Sequence, residues 1–82
     1  MRFFEYIDLV SRFHQLLLLE QTGNAEAFAK KLHVSRASVY NLIEEFKMND
    51  IPILYSRYRK TYYYQHPEQV EIVLVATMKF HN

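Results

Sequence analysis

Leu32-His33-Val34-Ser35-Arg36-Ala37-Ser38-Val39-Tyr40-Asn41-Leu42-Ile43-Glu44-Glu45-Phe46 stops one short helix and starts another within three residues. A joint that tight is the pattern of two helices packed across a sharp turn. Ser35 is placed to cap the second helix by accepting a bond from a backbone N–H of its first turn. Val39, Leu42, Ile43 and Phe46 recur at 3.6-residue spacing and predict a buried stripe. The opposite face carries Arg36, Ser38, Tyr40, Asn41, Glu44 and Glu45. Its N-terminal half is hydrogen-bonding or cationic, which is what a helix lying in a major groove presents to base edges. Arg36, Ser38, Tyr40 and Asn41 are therefore the expected base contacts, with Ser35 beside them at the phosphate backbone.

The block Ala27-Phe28-Ala29-Lys30-Lys31-Leu32-His33-Val34-Ser35-Arg36-Ala37-Ser38-Val39-Tyr40 resembles the A-x-x-L-x-V-S-R-x-T-V-Y pattern of bacterial winged helix-turn-helix transcription regulators, the biotin-repressor-like family. Phe28, Ala29, Leu32, Val34, Val39 and Leu42 fall where that family carries apolar residues, and the small Ala29 falls where the two helices approach most closely. The resemblance covers roughly the middle two thirds of the chain. It implies an α+β fold, a three-helix winged helix-turn-helix with a β-hairpin wing. His33 departs from the pattern, since the family often has Gly there. The turn asks for a positive φ, which His adopts less readily than Gly but more readily than a β-branched residue.

With 82 residues and 50% hydrophobic content, the chain reads as one small domain with no room for a second core. It has no Cys, which excludes disulfide scaffolds and thiolate chemistry and fits a cytoplasmic location. His14, His33, His66 and His81 show no metal-ligand spacing. The run Leu16-Leu17-Leu18-Leu19 sits between Gln15 and Glu20, far short of a membrane span or a signal peptide. Net charge is only +1, but it is unevenly spread. Between Ala25 and Gln65 seven cations (Lys30, Lys31, Arg36, Lys47, Arg57, Arg59, Lys60) face four acids (Glu26, Glu44, Glu45, Asp50), a net of +3. The flanks hold three cations and five acids, a net of −2. Positive charge thus gathers where a phosphate backbone would lie.

Taken in order, the first helix is expected over about residues 2–21, with Gly23 as its stop. Its apolar face holds Phe3, Tyr6, Ile7, Val10, Phe13 and Leu17, with Phe4 and His14 alongside, and is broader than a minimal domain needs. The start of the helix should overhang the core, leaving Phe3, Phe4, Tyr6 and Ile7 in want of cover from the C-terminal segment or a second subunit. Asn24 is placed to cap a second helix over about 25–32, at whose end Lys30 and Lys31 stand. Compensation of the helix dipole and contact with phosphates are equal readings of those two lysines. The third helix is expected over about 36–48. Ile51-Pro52 prevents its continuation, because a residue before Pro avoids the α region.

A hairpin over about 52–65 follows: Ile53-Leu54-Tyr55 and Thr61 to Gln65 are β-branched and aromatic and flank the basic tip Ser56-Arg57-Tyr58-Arg59-Lys60. By the resemblance this is the wing, with Arg57, Tyr58, Arg59 and Lys60 toward the sugar-phosphate backbone; the Gly usual in such a tip is missing. In a strand, Tyr62 and Tyr64 share a face and Tyr63 takes the other, so packing is the default for the pair. Val70 to Phe80 is dense in β-branched residues and reads as a C-terminal strand over about 70–80, with a helix as the alternative.

Catalysis finds no support, because no Gly-rich phosphate loop, metal-ligand pair or activated nucleophile is evident, and no cofactor or metal is expected. Glu44 and Glu45 are adjacent on a helix and point in different directions. Two functional classes follow. One is a sequence-specific regulator that binds double-stranded DNA; the other is a non-catalytic protein-protein interaction module with the same fold. One recognition helix reads few base pairs, so a homodimer is expected, paired through Phe3, Phe4, Ile7 and Val10 and through Ile72 and Leu74 of the tail. A larger protein partner is the other source of added affinity, and no membrane association is expected.

Overall fold

All three helices stop in the same way, which fixes where the chain turns. The computed structural model describes residues 2–70, with α1 at Phe3–Leu19, α2 at Ala25–Leu32, α3 at Arg36–Met48, β1 at Ile53–Ser56 and β2 at Thr61–Tyr64. At each helix end a residue with positive φ, namely Glu20, His33 or Asp50, follows the last turn. The next N–H then reaches back to close the end: Gln21 to the Leu16 carbonyl (3.1 Å), Val34 to Ala29 (3.0 Å) and Ile51 to Phe46 (2.9 Å). That closure satisfies carbonyls that a helix end leaves without partners.

At the N-terminal ends, Glu5 reaches back to the Arg2 N–H at 3.3 Å, Asn24 Oδ1 accepts from Ala27 N–H at 2.9 Å, and Ser35 Oγ accepts from Ser38 N–H at 3.1 Å. The last two are the caps expected from composition alone. The first helix ends at Leu19, short of the expected 21, and Gly23 is not its stop. Glu20 takes the left-handed turn instead. Gly23 has φ +71° in the next loop, where a Cβ would lie 2.7 Å from Ala27 Cβ, so it permits the entry to α2.

The core is made by one stripe from each helix: Leu9, Phe13 and Leu17 of α1, Phe28, Ala29 and Leu32 of α2, and Val39, Leu42 and Phe46 of α3. Ile51, Tyr64 and Val70 close it, and Val10, Val34, Ile43, Ile53 and Tyr62 pack around its rim. Phe13 is its hub, stacked on Phe28 (centroids 5.0 Å, planes 3° apart) and edge-on to Phe46 (5.0 Å, 66°). His14 Nδ1 lies 2.6 Å from the Tyr64 hydroxyl. Burial raises the Tyr64 pKa, so this phenol stays protonated across the physiological range.

β1 and β2 form an antiparallel hairpin with Ile53 opposite Tyr64, Leu54 opposite Tyr63, Tyr55 opposite Tyr62 and Ser56 opposite Thr61. Its inner face therefore carries Ile53, Tyr55, Tyr62 and Tyr64, and Tyr63 turns outward as alternation requires. The layout is α+β, three helices followed by a two-stranded hairpin, that of a winged helix. Among the described residues there is no third strand. Val70, the first residue of the expected C-terminal strand, is helical, the last described residue of a helical stretch that begins at Pro67, a residue that suits a helix start. The rest of that expected strand, with Ile72 and Leu74, lies outside the described residues.

The second edge of the hairpin is held by the loop between α1 and α2. Thr22 and Thr61 are both buried, at 0% and 2% exposure. Thr22 N–H donates to Thr61 Oγ1 (3.2 Å), and Tyr62 N–H donates to Thr22 Oγ1 (2.8 Å). The two hydroxyls, 3.1 Å apart, also face the carbonyls of Gly23 (2.8 Å) and Tyr62 (2.9 Å). One residue thus does for this edge of β2 what a strand would do.

Candidate nucleic-acid interface

The outward side of α3 divides along its length. Its first two turns present Arg36, Ala37, Tyr40 and Asn41 to solvent, and its last two present Glu44, Glu45, Lys47 and Met48. Ser38 is half-buried, and its hydroxyl lies 3.1 Å from that of Ser35, so both serines serve the cap as well as facing outward. Glu45 accepts a hydrogen bond from the Tyr6 hydroxyl at 2.8 Å, which ties the overhanging start of α1 to α3. Burial first, then the Glu45 carboxylate, raises the Tyr6 pKa and keeps that phenol a donor.

Helical spacing separates the two sides of α3. Glu45 turns toward α1, while Arg36, Tyr40 and Lys47, at intervals of four and seven, share the side toward the hairpin. Tyr40 makes the connection. Its hydroxyl lies close enough to Tyr62 on β2 to add to the rise that burial gives the Tyr62 pKa, and Tyr62 in turn lies against Tyr55 (4.7 Å between ring centroids) and Phe28 (5.9 Å). This side of α3 and the hairpin therefore meet along a seam of phenols.

The cations sort by whether they have partners. Lys30 is 3.9 Å from Glu26, Arg12 pairs with Asp8 at 3.1 Å, and Lys31 Nζ donates to the Gln21 carbonyl at 2.6 Å. At the hairpin tip, Ser56 Oγ accepts from Arg59 N–H (3.1 Å), and Lys60 takes the positive φ of 53° that a Gly would otherwise supply. Arg59 pairs with Glu20, its guanidinium carbon 4.9 Å from the Tyr63 ring centroid, so the tip is tethered to the end of α1. Besides Arg2 and Lys31, the described cations without an acid partner are Arg36 and Lys47 on α3 and Arg57 and Lys60 at the tip. Tyr58 at the tip is 97% exposed.

The structure thus brings Arg36, Tyr40 and the hairpin to one side and leaves Asn41 facing outward. It gives Lys30, Lys31 and Arg59 intramolecular partners. Lys47, Tyr55 and Tyr62 are additions to the site residues expected from sequence. Lys47 is visible in sequence as the cation eleven residues after Arg36, on the same helical side. The two tyrosines need the hairpin register before they can be placed. Phe3, Phe4 and Ile7, expected at a dimer interface, are 66%, 80% and 38% exposed, and Val10 is half-buried on the rim of the core. Among the described residues no helix is long and apolar enough to cross a membrane, and no three His, Cys, Asp or Glu side chains gather as a metal site would require. Comparison of the chain with protein-family models, curated proteins and solved structures finds no match.

Proposed function

We propose that this chain is a sequence-specific regulator that binds double-stranded DNA, the first two turns of α3 reading the major groove and the hairpin tip lying on the phosphate backbone. The observation that carries this reading is the placement of unpartnered Arg36 and Lys47 on the side of α3 that Tyr40 joins to the hairpin, with unpartnered Arg57 and Lys60 at the tip. Glu44 and Glu45 limit the groove contact of the outermost side of α3 to its N-terminal half, since carboxylates beside phosphates are unfavourable, and Lys47 stays on the side toward the hairpin. A modest number of cations implies a modest affinity for one copy.

An anisotropy titration with a selected duplex and with mixed-sequence DNA, each at two salt concentrations, tests the reading. Arg36→Ala should weaken binding to the selected duplex by about 1–3 kcal/mol and mixed-sequence binding by less. Neutralising Arg57 and Lys60 should weaken both equally and flatten the log–log salt slope by about 0.9 for each phosphate no longer neutralised. Arg59 should contribute less, because Glu20 and the Tyr63 ring already hold it. An unaltered protein that binds neither duplex ends the proposal.

Two half-sites read by two copies would supply the specificity that one recognition helix lacks. We infer a homodimer that uses the start of α1, where Phe3, Phe4 and Ile7 are exposed. Light scattering at micromolar concentration should report twice the chain mass, falling to one for the Phe4→Glu, Ile7→Glu double variant. A monomer for the unaltered chain at that concentration would rule the pairing out.

A further inference from the structure

We propose that Tyr40, Tyr55 and Tyr62 form an uncharged cradle for one DNA phosphate, placed where the backbone would pass from α3 to the hairpin. The inference rests on the DNA-binding reading and names the ligand chemistry of one part of that surface. Three phenols from three elements converge there: Tyr40 of α3 is 54% exposed, Tyr55 of β1 38% exposed, and Tyr62 of β2 half-buried between Tyr55 and Phe28. Phe28 is fully buried, so the cradle is mounted on the core rather than on a loose side chain.

The proton count favours an anionic acceptor. Three phenols carry three O–H protons, and a hydrogen bond between Tyr40 and Tyr62 would use only one of them. At least two donors remain for the two non-bridging oxygens of a phosphodiester. The neighbours that raise the Tyr62 pKa are, after burial itself, the other two phenols, with no carboxylate among them. The Tyr62 hydroxyl is therefore a protonated donor at neutral pH, and among the groups acting on it none is a carboxylate that would oppose a phosphate. The position supports the same assignment. Tyr40 lies on the hairpin side of α3, away from the outermost line of Ala37 and Asn41, where a helix in a groove approaches the backbone rather than the base edges. Arg36 and Lys47 flank Tyr40 on that side and supply the charge that the phenols lack.

Removing a donor without removing its ring separates this role from packing. In the same anisotropy titrations, Tyr40→Phe and Tyr62→Phe should each lower affinity about tenfold, the scale of a hydrogen bond to a charged group. The loss should be equal on selected and mixed-sequence duplexes, with the salt slope unchanged, because a neutral donor displaces no counterion. The double variant should lose less than the product of the two single effects, since the two neighbouring hydroxyls act on one phosphate as a pair. Circular dichroism melts of each variant confirm that the fold is retained, and Tyr55→Phe provides a third, independent removal if one variant proves unstable. Affinities unchanged in all three variants overturn the cradle alone. A loss confined to the selected duplex also overturns it, by making Tyr40 a base reader. An unaltered protein that binds neither duplex overturns the DNA reading and the cradle with it.

Discussion

Replacing Phe13 with alanine should cost about 3–5 kcal/mol, the range for emptying a large aromatic from a packed core. Phe13 is completely buried and touches aromatics from two other elements, Phe28 of α2 and Phe46 of α3, so the cavity would open where all three helices meet. Net stability of a domain of 82 residues is about 4–12 kcal/mol at the usual 0.05–0.15 kcal/mol per residue. The loss is thus a large fraction of the whole. Thermal unfolding followed by circular dichroism should show the midpoint fall by at least about 12 °C, or no cooperative transition at all. A fall of only a few degrees would mean that Phe28 and Phe46 collapse into the gap and that Phe13 is not the hub.

Thr22→Val should be the most damaging change to a polar residue. The substitution keeps size and β-branching but leaves the Tyr62 N–H without its acceptor in a buried site, at a cost of about 1–3 kcal/mol. Thr22→Ser keeps the hydroxyl and should lose much less. Thr61→Val strands the Thr22 N–H in turn, and the Thr22→Val, Thr61→Val pair should cost less than the sum of the two, because both single changes lose the one contact between the two hydroxyls. Urea unfolding of the four variants measures this directly, and strict additivity would show that the two threonines act separately.

The helix joints are legible in sequence because their chemistry is local. Asn24 and Ser35 cap helices by bonding to N–H groups three residues on, and His33 takes the left-handed turn at the spacing the resemblance implies. The hairpin is legible for a similar reason. Alternation alone puts Tyr62 and Tyr64 on one face and Tyr63 on the other. Contacts between distant residues are another matter. Nothing in the neighbourhood of Thr22 announces Thr61, thirty-nine residues away, and nothing beside Arg59 announces Glu20. Sequence misplaces the end of α1 at Gly23 because a lone glycine is a strong local stop, whereas the chain uses Glu20, whose carboxylate the hairpin tip engages. Helical periodicity identifies the apolar sides of α1 but not how far the core reaches along it. Leu9 therefore escapes notice as a core residue while Phe3 and Phe4 lie exposed. For the candidate interface, sequence marks the cations but not their partners, and partnering is what separates Arg57 and Lys60 from Arg59, Lys30 and Lys31.

The left-handed residues that close the three helices also matter for the state from which the protein folds. Glu20, His33 and Asp50, like Lys60 at the hairpin tip, carry a Cβ where many chains use glycine. A left-handed residue with a Cβ strains the folded backbone by roughly 1–2 kcal/mol, with Asp toward the lower end. The same Cβ narrows what the unfolded chain explores, so less conformational entropy is lost when each joint forms, an effect of about 0.4–1 kcal/mol per site. The two effects oppose each other at every corner of the fold. A chain with a single glycine thus has a denatured ensemble already restricted at its corners, but restricted toward negative φ, so the left-handed turns at its three helix ends are imposed by the packing of the folded chain.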